Sequence, residues 1–212
     1  MRTFSVALVL VALTWGVAYG ELPSYAGPQA KPEASGMATA VLAGGCFWGV
    51  DGVYKHVKGV SAVVSGYAGG TWGTAKSEIV ATGTTGHAES VQITYDPAQI
   101  SYAELLKIFF AVAHDPTELN RQGPDVGPQY RSVIFYADDQ QKEIAQRYIE
   151  QLNQAKVFPG PIVTQLKPLS RFYPAEADHQ NYLQLHLSEP YVVVNDLPKL
   201  KQLQNDFPSW YK

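Results

Sequence analysis

The chain holds one cysteine, Cys46, in 212 residues. A single thiol excludes a disulfide framework and the usual thiolate zinc sites. No His, Cys, Asp and Glu cluster has metal-ligand spacing, so no metal is expected. A phosphate-binding loop and a dinucleotide fingerprint are both missing, and no cofactor is expected. Charge of one sign is also lacking: 16 Lys and Arg stand against 19 Asp and Glu, a net charge of -3. That balance leaves no basic footprint for nucleic acid. There is no internal repeat. The apolar run Phe4–Leu13 is shorter than the about 20 residues a membrane span needs.

What is present suits a folded enzyme-sized domain. The chain is 46% hydrophobic, with 13 Tyr, 8 Phe and 4 Trp, enough for a sizeable core. Its start reads as a signal peptide over residues 1–20. Arg2 gives the positive beginning, Phe4–Leu13 the apolar region, and Ala18-Tyr19-Gly20 the small residues of a cleavage site. Export to the periplasm or the extracellular space follows as an expectation. Residues 21–36, rich in Pro, Gly, Ala and Ser, read as a flexible spacer. The domain is expected over 37–212.

Along that domain, MATAVLAGG suits a buried strand ending in a glycine turn, and CFWGVDGVYKHV then takes helical spacing. Cys46 therefore falls where a strand hands over to a helix N-terminus. ESVQITYDP alternates, with Val91, Ile93 and Tyr95 on one face. SYAELLKIFFAVA has an N-cap Ser101 and Glu104 three residues on. EADHQNYLQLHL and LPKLKQLQNDF read as helices. Strands and helices mix without strict alternation, which predicts an α+β domain with helices on an antiparallel or mixed sheet. Thr71–Thr85 and Asp115–Gln129 have little periodicity and are the expected walls of a site.

Two readings of Cys46 stand side by side: a small buried hydrophobe, or a reactive thiol. The double glycine before it, the helix dipole after it and its lack of a partner favour reactivity. That position also predicts a lowered thiol pKa. Phe47 and Trp48 are either core residues or an apolar wall for a methyl group. His87 and Glu89, two apart at a strand start, share a face if both lie in the sheet. Either could serve a thiolate as acid or base. His114, Asp115, Asp125, Tyr130 and Arg131 lie in a polar stretch that is either a solvated loop or a site loop. His179 reads as structural.

GCFWG at 45–49, GYAGG at 66–70, TGHAE at 85–89, YDP at 95–97, HDPTELNRQGPD at 114–125 and QYRS at 129–132 resemble the A-type peptide methionine sulfoxide reductases. FYPAE, HQNYL and YVVVNDLPKL continue the likeness, which runs from about Ala40 to the C-terminus. The resemblance implies a ferredoxin-like two-layer core and reduction of the S epimer of methionine sulfoxide, free or in proteins. By motif, Cys46 is the nucleophile and becomes a sulfenic acid. Glu89 protonates the sulfoxide oxygen, Tyr130 hydrogen-bonds it, and Asp125 holds the polar side. Phe47 and Trp48 receive the methyl, and His87 joins the substrate-binding group.

Two departures follow. Ser77 stands where the family has a second site tyrosine, so its shorter hydroxyl is expected to serve the oxygen through a water, with less stabilisation than a tyrosine gives. No recycling cysteine is present, and Val192 lies in the region that often carries one. Recycling then needs an external thiol, a thioredoxin-like protein or a small thiol, and an exposed sulfur for it to reach. Asp51 replaces a more usual glutamate. A monomer is expected. The rival readings are a cysteine hydrolase with His87 or His114 as base, and a non-catalytic module that binds oxidised methionine.

Overall fold

The computed structural model describes residues 22–28 and 36–212. The expected signal segment, 1–20, lies outside the described residues. Strand β1 (Ala38–Ala43) runs through the Gly44-Gly45 turn into helix α1 (Phe47–Lys55), whose N-cap is Cys46. β2 (Val60–Ala68) and β3 (Ala88–Tyr95) are joined by a long connection holding the short helix α2 (Ser77–Val80). Helix α3 (Tyr102–Ile108) opens on the expected capping box, Ser101 and Glu104 each accepting from the other's N–H. It ends in a wide π-type turn over Phe109–Ala113. A small ribbon, β4 (Arg121–Gln122) and β5 (Asp125–Val126), precedes β6 (Val133–Tyr136). Then come α4 (Asp139–Ala155), β7 (Gln165–Pro168), β8 (Phe172–Pro174), α5 (Tyr182–Leu185), a π-type turn over Val192–Asp196, and α6 (Leu197–Asp206).

The main sheet has the order β7-β6-β1-β3-β2-β8. All its pairings are antiparallel except β6 with β7. The inner four strands, with α1 between β1 and β2 and α3 between β3 and β6, form the expected ferredoxin-like α+β core. Val91, Ile93 and Tyr95 are buried on one face of β3, as their period-two spacing predicts. They meet Val53, Tyr54, Phe109, Phe110 and Tyr148 from the helices. Each such side chain removed from water contributes about 1.5–3 kcal/mol. The opposite face buries Val41, Ala43, Ala68, Val133 and Phe135 beneath Leu169 and Phe172.

Two expectations are corrected here. The first part of the 21–36 spacer is not free chain, because Leu22 and Tyr25 are buried in the main core. Tyr25 packs edge-on against Tyr148 at 6.0 Å, and the Tyr148 hydroxyl donates to Pro23 O at 2.8 Å. Gln151 accepts from Ala26 N–H and donates to Ser24 O. Two large apolar side chains and three backbone bonds outweigh the flexibility of the composition. The second correction is EADHQNYLQLHL, which is not one helix. A 3-10 turn over Ala177–His179 and α5 are separated by Asn181 in the left-handed region at φ 57°.

Candidate active site

Cys46 sits at the joint of β1 and α1 because two glycines let the chain turn there. Gly45 has φ +92°, and a Cβ on it would press on the Gln122 side chain 2.6 Å away. A Cβ on Gly44 would meet the His114 and Phe109 rings. Larger residues could not pass the chain beneath these side chains. The sulfur is buried, Cys46 being 8% exposed, and it lies at the edge of a cleft of about 570 Å³. His114, Gln122, Asp125, Tyr191 and Asn195 share that cleft. The Asp115–Gln129 stretch is therefore a wall of the site, as expected, and the cleft gives the buried sulfur its opening.

The expected lowering of the thiol pKa is overturned. Burial pushes the Cys46 thiol well above its usual range, and the charges of Glu89 and Asp196 push the same way. The Trp48 N–H of the first helical turn bonds the sulfur and opposes the rise, but does not prevail. A helix N-terminus is a partial positive charge; a dry pocket with carboxyls beside it costs the thiolate more. The expectation of an exposed sulfur is corrected with it.

Glu89 lies on the helix-facing side of β3, in line with Val91 and Ile93, so its carboxyl rises beneath the start of α1. Its Oε2 accepts from the Phe47 N–H at 3.1 Å, and the Cys46 side chain hydrogen-bonds it. Burial lifts its pKa to about 8; the Phe47 bond pulls it down and Asp125 adds to the rise. At neutral pH it therefore carries a proton against a neutral thiol. Tyr130, on a short turn after β5, feels Glu89, Asp125 and Cys46, and burial holds its hydroxyl at about 12, a protonated donor. Asp125 accepts a short hydrogen bond from the Tyr191 hydroxyl. Cys46, Glu89, Asp125 and Tyr130 are thus brought together from four segments.

Beside them stands the aromatic group. Trp48 stacks on Tyr182, with centroids 3.6 Å apart and planes 8° apart, and meets Tyr191 edge-on at 5.9 Å. Phe47 packs behind it on Tyr67 and His179. Offset and edge contacts of this kind add about 0.5–1.5 kcal/mol each beyond their burial. Phe47 and Trp48 pack in one aromatic group beside Cys46, and sequence reasoning missed its other members. Tyr182 and Tyr191 arrive from more than 130 residues away, and no local periodicity marks them. Asp196 was missed as well. It is fully buried, pairs with Lys199 at 3.3 Å, and packs so close to α1 that a Cβ on Gly49 would collide with it.

Three expected residues lie elsewhere. His87 precedes β3 rather than lying in it. Its Nδ1 accepts from the Gly70 N–H at 3.2 Å and its Nε2 bonds Thr71 O, so the ring ties down the turn after β2. Ser77 does not reach toward Glu89 and Tyr130: its hydroxyl bonds His179 Nε2 at 3.0 Å. His114 is locked between Phe109 O and the Ser132 hydroxyl, and burial lowers it to about 4. Neither His87 nor His114 is free to act as a base on Cys46, which removes the hydrolase reading. Val192 is fully buried, and Asp51 is buried against Lys55 at 2.7 Å.

Comparison with known proteins agrees with this geometry. The family model described as peptide methionine sulfoxide reductase matches residues 38–210. The chain is 58% identical over 181 residues to peptide methionine sulfoxide reductase MsrA 2 of Mesorhizobium japonicum, covering 85% of this chain and 93% of that one. It is 51% identical over 179 residues to MsrA 2 of Synechocystis, covering 84% of each. Among solved structures it is similar to reduced Mxr1 of Saccharomyces cerevisiae, with a TM-score of 0.66 and 32% identity over 77% of this chain and 93% of that chain. It is similar too to methionine sulfoxide reductase A of Corynebacterium diphtheriae, with a TM-score of 0.62 and 34% identity over 75% of this chain and 79% of that one.

Proposed function

The chain belongs to the peptide methionine sulfoxide reductase family, and from that membership we propose how its own residues carry out the reduction. It is an oxidoreductase that returns methionine sulfoxide, of the S epimer, to methionine. The observation that carries the mechanism is the Glu89 carboxyl beside the Cys46 thiol, with its Oε2 held by the Phe47 N–H at 3.1 Å and both groups pushed toward their protonated forms by burial.

The sulfoxide methyl lies against Trp48, with Phe47 behind. The oxygen points to Glu89 and the Tyr130 hydroxyl. Glu89 gives its proton to the oxygen, which makes the substrate sulfur electrophilic. The Cys46 sulfur attacks it, and the thiol proton passes to the vacated Glu89 carboxylate. The substrate S–O bond breaks and the oxygen, protonated a second time by Glu89, leaves as water, so that a sulfonium remains joined to Cys46 by an S–S bond. That water then attacks the Cys46 sulfur, and the S–S bond breaks with methionine as the leaving group. Thiol plus sulfoxide have become sulfenic acid plus methionine. Asp125, held by Tyr191, keeps the polar side of the pocket in register. The burial that raises the thiol pKa protects it at rest. Reaction waits for an acceptor whose protonation frees the carboxylate to take the thiol proton.

Recycling uses an external thiol. One thiol displaces water from the sulfenic acid to give a mixed disulfide on Cys46, and a second releases it as a disulfide. The cleft beside Cys46 supports that approach, and a thioredoxin-like dithiol is the reductant this chemistry suits. The work is repair of oxidised proteins. Arg2, the apolar run Phe4–Leu13 and the Ala18-Tyr19-Gly20 site support export, so we place the protein outside the cytoplasm, acting as a monomer.

Turnover of the separated epimers with a small dithiol tests the reading. The S epimer is consumed and the R epimer persists; equal rates on both would overturn the assignment.

A further inference from the structure

Ser77 stands where the resemblance implies a second site tyrosine, yet its side chain turns to His179. The bonds around it form an unbroken line. The Trp48 indole N–H donates to His179 Nδ1 at 3.2 Å. His179 Nε2 meets the Ser77 Oγ at 3.0 Å. The Ser77 hydroxyl is hydrogen-bonded to the Tyr67 phenol. Tyr67 donates to Glu176 Oε2 at 3.0 Å, and the Ser77 backbone N–H donates to Glu176 Oε1 at 2.9 Å.

Every direction in that line is set by its two ends. An indole N–H can only donate, and an ionised carboxylate can only accept. Indole donation requires a bare Nδ1 on His179, so the ring proton is on Nε2 and is given to Ser77. At the far end Glu176 takes the Tyr67 proton. The phenol oxygen is left to accept from Ser77, whose own lone pair is then free for His179. Reversing any member leaves two donors or two acceptors facing each other.

The geometry points to Ser77 as a positioning residue that, with Glu176 as its anchor, holds His179 in the Nε2–H form and thereby fixes the edge of the Trp48 indole. Stacking on Tyr182 pins the face of that ring, but stacking alone leaves it free to slide and turn in its plane. The bond to His179 removes that freedom. The serine thus serves the methyl wall rather than the sulfoxide oxygen, and the role of this segment has shifted from touching substrate to aiming the residue that does. This inference rests on Trp48 receiving the substrate methyl, as proposed above.

The test uses the Trp48 indole N–H resonance by ¹⁵N NMR, identified with Trp48→Phe, together with KM and the single-turnover rate. Ser77→Ala should move that resonance, speed its exchange with solvent, and raise KM for a methyl sulfoxide about 3–10-fold, the scale of one lost hydrogen bond. The rate at saturation should change less than KM. Ser77→Thr, which keeps the hydroxyl, should restore the resonance. Glu176→Gln, whose amide can donate as well as accept, should disturb it as Ser77→Ala does. An unmoved Trp48 signal in Ser77→Ala, or a Ser77→Thr protein indistinguishable from Ser77→Ala, would overturn the proposal. The resonance is read without turnover, so failure of the reductase assignment and failure of the relay are separable.

Discussion

Two glutamates flank the same tyrosine and end in opposite states. Tyr67 lies opposite Glu89 in the pairing of β2 with β3, and its hydroxyl donates to Glu176. Glu89 is half-buried, and one backbone N–H and one thiol are its hydrogen-bond partners. Burial wins, and its pKa rises to about 8. At Glu176 burial also pushes upward, but the Ser77 N–H, its own backbone and the Tyr67 hydroxyl outweigh it, and its pKa falls below the usual range. The residue type is the same; the number of donors and the access of water differ. One carboxyl is built to hold a proton and spend it, the other to stay charged and orient its neighbours.

The sharpest break of that comparison is at the thiol both arrangements serve. Cys46→Ser should abolish turnover outright. Wild-type protein given one equivalent of methyl sulfoxide and no reductant should release one methionine and carry a sulfenic acid, trapped by a carbon nucleophile and read by intact mass. Methionine formed without an adduct on Cys46 would sink the mechanism. Next in size is Glu89→Gln. The amide keeps the shape but has no proton to give, so single turnover should fall about 10²–10⁴-fold. A near-normal rate would erase the functional difference between the two glutamates.

A smaller effect follows from pH. The acid form of Glu89 is the one that acts, and it is lost as pH rises through about 8. Single-turnover rates at saturating sulfoxide should therefore fall above that point, by roughly tenfold per pH unit. The thiol is pushed well above its usual range, so its ionisation does not offset the fall just above pH 8. The slow Glu89→Gln protein should show no such limb between pH 6 and 9. A wild-type rate that climbs across this range would mean that thiolate formation, not proton donation, limits the step.

The two glutamates were not equally legible in the sequence. Glu89 could be found because it alternates with Val91 and Ile93 on a strand and lies in a motif that resembles a known family. Its partner Cys46 was marked by the Gly44-Gly45 turn and the helix that follows. The state of that thiol was not readable. The local helix argues for a lowered pKa, whereas what reverses it is burial together with the charges of Glu89 and of Asp196, the latter about 150 residues on. Ser77 could be placed but not aimed, since its direction depends on His179 and Tyr67, each in another element. His179 reads as structural from sequence, which is half of what it does. In the 21–36 stretch, Leu22 and Tyr25 were the only large apolar side chains, and the composition around them hid that they had a core to enter.

The last prediction compares the two glutamates on stability alone, without any substrate. Glu89 binds its proton more tightly folded than unfolded. Between its unfolded value near 4.5 and its folded value near 8 the native state holds a proton that the unfolded chain has lost. Native stability must then fall as pH rises through that window, by up to about 1.4 kcal/mol per pH unit for a full proton difference. Glu89→Gln removes this slope. Relative to wild type it should gain stability steadily from pH 5 to 8, by about 2–4 °C in Tm per kcal/mol for a chain of this size, and no further above. Glu176 runs the other way. Its folded pKa is depressed, so its contribution is fully present above the unfolded value and is lost as pH falls through the folded one. It is mostly solvated, and screening keeps that contribution small. Glu176→Gln should melt slightly below wild type at pH 7, and the gap should close as both are taken to pH 4 and below. Thermal melts of the three proteins from pH 4 to 9 decide the matter: differences that open in opposite directions uphold the contrast, and parallel curves would show that the two carboxyls share one environment after all.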